Sequence, residues 1–313
     1  MKNLFRKLLP YKIRSLLRIM RKGRLNEYSI QNRQFKREKK YVPSDFPYYL
    51  SAVTMVKNET DYIAEWIEYH LLVGVQKFYV YDNESTDNLR EYLEPYINDQ
   101  IVEYNYISGI QQQVNAFNDA INKYRYASYW LTFIDIDEFL VPVVAETLPD
   151  FLKDFEDAPG IEINQVLYGS SGHQHKTNGL VLERFKDHSL FEYPANRGVK
   201  SIVNPRRVFY MSSAHIAEYF NGECSVDTNK NKTILPSLER PALHDKMRRN
   251  HYACKSFEEF ASRIDLGRAS SPGKLSIDEF NNRNRNEIQN DPIMDKYINQ
   301  IKNNLHKRAD NSH

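Results

Sequence analysis

The sequence predicts an α/β protein organised around a largely parallel sheet, and three features predict it. Over residues 49–134, β-leaning apolar runs alternate with segments of helical periodicity. The runs are apolar along most of their length, as strands buried on both faces are. Polar clusters follow three of the runs, where the carboxyl ends of parallel strands form a common ligand-binding rim.

Taken in order, residues 49–56 (YLSAVTMV) read as the first strand. Asn58 is the expected N-cap of the helix that follows, and Glu59 and Asp61 suit its first turn. Ile63, Trp66, Ile67 and Leu71 share one face of that helix, and Gly74 is its expected stop. Residues 77–81 (KFYVY) form a second strand, with Asp82, Asn83, Ser85 and Asp87 in the turn after it. Residues 101–107 are a third strand and 112–124 a helix. Residues 129–134 (YWLTFI) are a fourth strand, running into Asp135-Ile136-Asp137-Glu138. Beyond Pro142 the pattern loosens. Shorter strand candidates occupy 162–168, 198–203 and 207–211, residues 256–264 read as helical, and 278–305 read as a polar helical tail broken near Pro292.

Ahead of this body, Phe5, Leu9, Ile13, Leu16 and Met20 recur at helical spacing among Lys and Arg, so residues 4–22 read as a basic amphipathic helix. Three roles are open to it: contact with an anionic membrane surface through residues 1–24, packing on the body, and a nucleic-acid arm. No nucleic-acid module follows it, and no nucleic-acid partner is expected. Residues 25–45 read as a linker. The chain thus divides into a basic segment and linker (1–45), an α/β domain (46–265) and a helical extension (266–313).

The 313 residues are 41% hydrophobic and 27% charged, a composition that supports a packed core and excludes wholesale disorder. The net charge of +2 conceals an asymmetry, because residues 1–40 hold fourteen Lys and Arg against Glu27 and Glu38. The two cysteines, Cys224 and Cys254, form no framework and fit a reducing compartment. No apolar run reaches the ~20 residues of a membrane span, and no signal-peptide pattern precedes the body. A cytoplasmic location is expected, with peripheral contact on the inner face of the cell membrane as an option.

Asp135-Ile136-Asp137 is the sharpest chemical feature. Two carboxylates at a strand end, with the intervening Ile136 in the core, offer hard oxygen ligands to Mg²⁺ or Mn²⁺ bridging a diphosphate. Such a cation stabilises a departing nucleotide diphosphate. The plain alternative is a pair of exposed acids. Lys57-Asn58-Glu59 and Asp82-Asn83 lie at two further strand ends and are expected on the same rim, where Asp82 either faces the donor's base or ribose or caps its own turn.

Residues 53–88 (VTMVKNETDYIAEWIEYHLLVGVQKFYVYDNESTDN) resemble the opening of family 92 and related family 2 glycosyltransferases, and residues 130–142 (WLTFIDIDEFLVP) resemble their DxD strand. The likeness continues in order through YGSSGH (168–173), LVLERF (180–185), KSIVNP (200–205), His215 and HYACKSFEEF (251–260). Tyr168 departs from it, since the family often has Trp before GSSG. The resemblance implies a GT-A nucleotide-diphospho-sugar transferase fold, Rossmann-like, with a divalent metal and a UDP-linked donor. It implies a glycan or lipid-linked glycan acceptor and inversion at the anomeric carbon, in surface polysaccharide or glycoconjugate synthesis; the hexose is carried over most loosely, as galactose. Asp135 and Asp137 match the DxD, and Lys57, Asn58, Glu59, Asp82 and Asn83 match the donor-binding turns. His251 is the expected late metal ligand, with His215 its rival. Lys255, read on one helical face with His251, is expected on the diphosphate, with Lys200 and Arg184 as alternatives. Glu183 is the expected general base, with Glu138 and Glu218 as rivals. His173 and Gln174 are expected on the acceptor side. A binding protein without turnover on the same fold is the alternative function.

Overall fold

The computed structural model describes residues 9–38, 40–264 and 275–310. Phe5 and the expected boundary at 265/266 lie outside these. Two helices open the described chain, α1 (Tyr11–Arg21) and α2 (Leu25–Phe35). The body then runs β1 (Tyr48–Val56), α3 (Thr60–Leu72), β2 (Lys77–Asp82), α4 (Leu89–Asn98), β3 (Val102–Tyr106), α5 (Gln113–Tyr124) and β4 (Ser128–Phe133). There follow β5 (Glu138–Pro142), α6 (Leu148–Leu152), β6 (Gly160–Leu167), α7 (Val181–Arg184), β7 (Val199–Val203), β8 (Val208–Met211), β9 (Ala217–Tyr219) and β10 (Met247–His251). Three helices close it, α8 (Phe257–Arg263), α9 (Ile277–Arg283) and α10 (Asp295–Asp310).

Eight strands make one sheet in the order β3-β2-β1-β4-β7-β6-β10-β5. All run one way except β5 and β7, so the carboxyl ends of β1, β2, β4, β6 and β10 share an edge. This is the expected α/β class with a mostly parallel sheet and a helical tail. Strand β1 is central because Leu50 through Val56 are all buried. Leu50 and Ala52 face one core with Trp66, Ile67, Phe78 and Trp130; Val53 and Met55 face another with Phe117, Ile121 and Phe133. Each large side chain buried this way contributes about 1.5–3 kcal/mol. Helix α3 is pinned across the sheet by Trp66 Nε1, which donates to Glu138 O at 2.9 Å, and by Tyr69 OH, which donates to Leu140 O at 2.9 Å.

Two local expectations change, and one open alternative is narrowed. Residues 25–35 are helical rather than linker, because Tyr28 stacks among Phe209 and Phe220. Residues 247–251 form a buried strand; their arginines hid it from a hydrophobicity reading. Helix α1 packs on the body: Ile19 is fully buried, Ser15 Oγ donates to Glu218 Oε2 at 2.6 Å, and Arg18 Nη2 donates to the same carboxylate at 3.0 Å. No helix among the described residues is long and apolar enough to cross a membrane.

Candidate functional site

The loops after β1, β2, β4 and β10 meet at the carboxyl edge of the sheet. Asn58 does not cap α3. It sits in the left-handed region at φ 56°, and its Oδ1 accepts from Thr86 N at 2.7 Å, tying the first loop to the second. The cap comes from across the gap: Thr60 N donates to Asp87 Oδ2 at 3.0 Å. Asp82 accepts from Ser85 N at 2.9 Å and from Tyr104 OH at 2.6 Å, the behaviour of a turn former. Asn83 Nδ2 donates to the carbonyls of Ile107 and Gly109. Lys57 stays half-exposed, 4.0 Å from Glu84.

The two DxD carboxylates part company. Asp135 Oδ2 accepts from Lys200 Nζ at 2.9 Å, and Oδ1 accepts from Gln113 Nε2 at 2.5 Å. Burial opposes its ionisation, but Lys200 outweighs burial and holds the carboxyl below the ordinary range. Asp137 is buried and faces His251, with Oδ1 3.6 Å from His251 Nε2. His251 closes β10 and does not share a helix with Lys255. Its Nδ1 lies 2.8 Å from Gln165 Oε1. That amide is oriented by Gln165 Nε2 donating to Ala195 O at 2.7 Å and by Arg249 Nη2 donating to its Oε1 at 3.0 Å. The proton therefore belongs on Nδ1, and the Nε2 lone pair points at Asp137.

A ring of cations surrounds this pair. Arg263, at the end of α8, places Nη1 3.4 Å from Asp137 Oδ2. Lys255, in the turn before α8 with φ 54°, is buried, and its ammonium has no hydrogen-bond partner among the described residues, lying 3.9 Å above the ring of Tyr62. Burial opposes ionisation of Asp137, but His251, Arg263 and Lys255 outweigh it and hold the carboxyl well below the ordinary range. Burial also holds His251 below its usual value, so at neutral pH the field on Asp137 comes from Arg263 and Lys255. Burial pulls Lys255 down, and half-buried Glu59 pulls it back up. Burial raises Glu59, against the pull of Lys255 and Arg263. Asp137 and Glu59 match Arg263 and Lys255 in charge, and the Lys255 ammonium keeps its N–H donors for an anionic ligand oxygen.

Two donors each about 2.1 Å from one ion stand roughly 3–3.6 Å apart over ordinary ligand angles. The Asp137–His251 spacing fits a shared divalent cation on that count. Among the described residues no three His, Cys, Asp or Glu side chains converge as a metal site, so Asp135 does not complete a protein cage. Ligand oxygens or water would fill the remaining positions.

The other expected residues lie elsewhere. Glu183 faces the C-terminal helix, its Oε1 accepting from Lys302 Nζ at 2.7 Å. Glu138 is buried in an ion pair with Arg249, and Glu218 is spent on α1. None of the three stands free beside Asp137 as a base. Arg184 is committed to Glu259 at 3.0 and 3.1 Å, and Lys200 to Asp135, so neither is a free anion ligand. His215 directs Nδ1 at Val199 O, 2.9 Å away, and joins no donor pair. His173 and Gln174 lie in a loop whose carbonyls accept from Phe257 N and Glu258 N at the start of α8. The GSSG run is a tight turn, clamped by Asn284 and Asn286 on Ser170 N and Ser171 N. Arg263, Gln113 and Gln165 were missed; only the position of Arg263 just past the matched HYACKSFEEF stretch hinted at its role. A cleft of about 520 Å³ opens at the far end of β4, but its Arg206 is bonded to Ser128 O and Tyr129 O and its Arg207 to Glu223.

Comparison with known proteins bears on this edge. The profile of glycosyltransferase family 92 matches residues 46–307. A family 92 protein of Oryza sativa subsp. japonica is 34% identical over 109 residues, 34% of this chain and 19% of that one. The galactan beta-1,4-galactosyltransferase GALS3 of Arabidopsis thaliana is 24% identical over 177 residues, 51% of this chain and 35% of that one. The chain thus spans about a fifth to a third of the length of these relatives. Among solved structures, S. aureus TarS 1–349 aligns with a TM-score of 0.39 and 13% identity over 66% of this chain and 61% of that one.

Proposed function

Because the chain belongs to glycosyltransferase family 92, we propose that this edge binds a nucleotide-diphosphate sugar and transfers its hexose to an acceptor hydroxyl. The family follows from the match; the activity, donor, metal and stereochemistry are the proposal. The observation that carries it is the Lys255 ammonium, buried near Glu59, Asp137 and Arg263 with no hydrogen-bond partner among the described residues. Burying a charge without a partner is costly, and a bound diphosphate relieves the cost.

In this reading Lys255 and Arg263 grip the diphosphate. Asp137 and His251 Nε2 would hold Mn²⁺ or Mg²⁺, which would supply neutralisation of the charge on the leaving diphosphate. Gln165 keeps the His251 proton on Nδ1. Lys200 holds Asp135 ionised, and the Asn58–Thr86 and Asp87–Thr60 bonds keep the first two loops rigid beside the donor. The acceptor hydroxyl oxygen attacks the anomeric carbon and its proton passes to solvent, the bond from that carbon to the phosphate oxygen breaks, and the diphosphate leaves with the electron pair. The Arabidopsis relative is named for a β-1,4 product. Such a product from an α-linked UDP-galactose requires inversion, and we extend UDP-galactose and inversion to this chain. The acceptor is a glycan or lipid-linked glycan.

The test is nucleoside-diphosphate release from UDP- and GDP-sugars with Mn²⁺, Mg²⁺ or EDTA. Wild type should release UDP in a metal-dependent way, and Asp137→Ala should lose about 100-fold or more of that rate. A folded wild-type chain that neither binds nor cleaves any donor would overturn the proposal; donor binding without release, even with glycan acceptors supplied, would favour a silent binder.

A further inference from the structure

Helix α1 docks on the body through one face only. Ser15 and Ile19 face inward, while Ile13, Leu17 and Met20 fall on the opposite side at helical spacing. Ile13 and Met20 are 43% and 50% exposed. Lys12, Arg21 and Lys22 are exposed around them. Ile13 and Met20 of the sequence's apolar strip thus stay outside the packing, whereas Leu16 is spent on the cluster of Ile19, Phe209 and Phe220.

The strip has a neighbour of the same character. Arg14 Nη2 donates to the carbonyl of Ile234, joining α1 to the loop 232–240. There Ile234, Leu235 and Leu238 are 46%, 41% and 64% exposed, next to exposed Lys232. The loop is fixed from beneath, with Arg240 paired to Glu162 and Arg197 Nη1 donating to Leu238 O at 3.2 Å. Arg197 leads directly into β7, whose Lys200 holds Asp135.

We propose that the outer face of α1 and the loop 232–240 form one docking surface for an anionic lipid bilayer. Apolar side chains ringed by Lys and Arg match the boundary between acyl chains and acidic headgroups. The fourteen cations against two acids in residues 1–40 give the complementary charge. The proposal deepens the glycosyltransferase reading, since it assigns the acceptor to the lipid-linked class, but its test does not depend on that reading.

The intact chain is sedimented with vesicles of phosphatidylcholine alone or mixed with phosphatidylglycerol. Wild type should pellet with the anionic vesicles only and be released by salt. Ile13→Glu/Met20→Glu and Leu235→Glu/Leu238→Glu should each weaken binding about tenfold or more, with donor cleavage unchanged. Wild type left in the supernatant would overturn the proposal. So would a loop variant that binds like wild type, or a concentration-dependent dimer that both variants abolish while vesicle binding persists. Loss of donor cleavage in wild type would instead count against the enzyme reading and leave the vesicle result standing.

Discussion

Lys255 is where the proposed donor site is most open to test at the scale of one residue. Its ammonium is buried above the Tyr62 ring, with Glu59 and Asp137 as its charge partners. Lys255→Met keeps the volume and removes the N–H donors. The variant should bind UDP about 10–100-fold more weakly, the loss of one charge-assisted contact. Calorimetric titration would check it; equal UDP affinity would remove Lys255 from the site. Asp137, His251 and Lys255 were legible as neighbours because motif stretches mark them. The surroundings of Glu183, Arg184 and Lys200 were not, because charge pairing is a tertiary fact: Lys302, Glu259 and Asp135 claim them from distant segments.

At the scale of elements, α8 carries Arg263 and is positioned by its first turn. Ser256 and Glu259 form a reciprocal capping box, and Glu259 also accepts from Arg184 and Tyr62. Burial opposes ionisation of Glu259, but these donors win and hold it down at about 2. A depressed carboxyl stabilises the fold above its ordinary pKa, and that share is lost as pH falls from about 4.5 towards 2. Thermal melts across this window should show a steeper decline for wild type than for Glu259→Gln; parallel curves would mean the anchor is inert. Strands β1, β2 and β4 were legible because each is a mostly apolar or aromatic run. Strand β10 was not, since its MRRNH sequence is polar. Its arginines are buried against Glu138 and Asp291, and Asn250 bonds to Tyr168 OH, so charge pairing replaces apolar side chains. Helix α2 was likewise hidden, held by Tyr28 and Phe35 against Phe220.

For the whole molecule, the N-terminal helices are part of the fold. Removing residues 1–40 strips the cover from Phe209 and Phe220 and leaves Glu218 buried without Arg18 or Ser15. The melting temperature should drop by about 5–10 °C, from lost burial and an unpaired charge. Scanning calorimetry of the shortened chain would decide it, and an unchanged transition would show the helices to be loosely attached. The alternation of strands and helices fixed the sheet in advance as far as β4. The return of β7, β6 and β10 to complete the edge could not be read, because those strands pair with segments far away in the chain.

That long return has a consequence for how the protein is made. Asp137 and Arg263 touch across 126 positions of sequence. On a ribosome the DxD loop emerges well before the strand and helix that complete its partners, and contacts of such long reach form late. A nascent or prematurely ended chain displays the acidic half of the pocket without the cations that would hold a nucleotide. On the proposed donor reading, nucleotide sugar can then rescue only finished molecules, and its protection against proteolysis becomes a signature of complete synthesis.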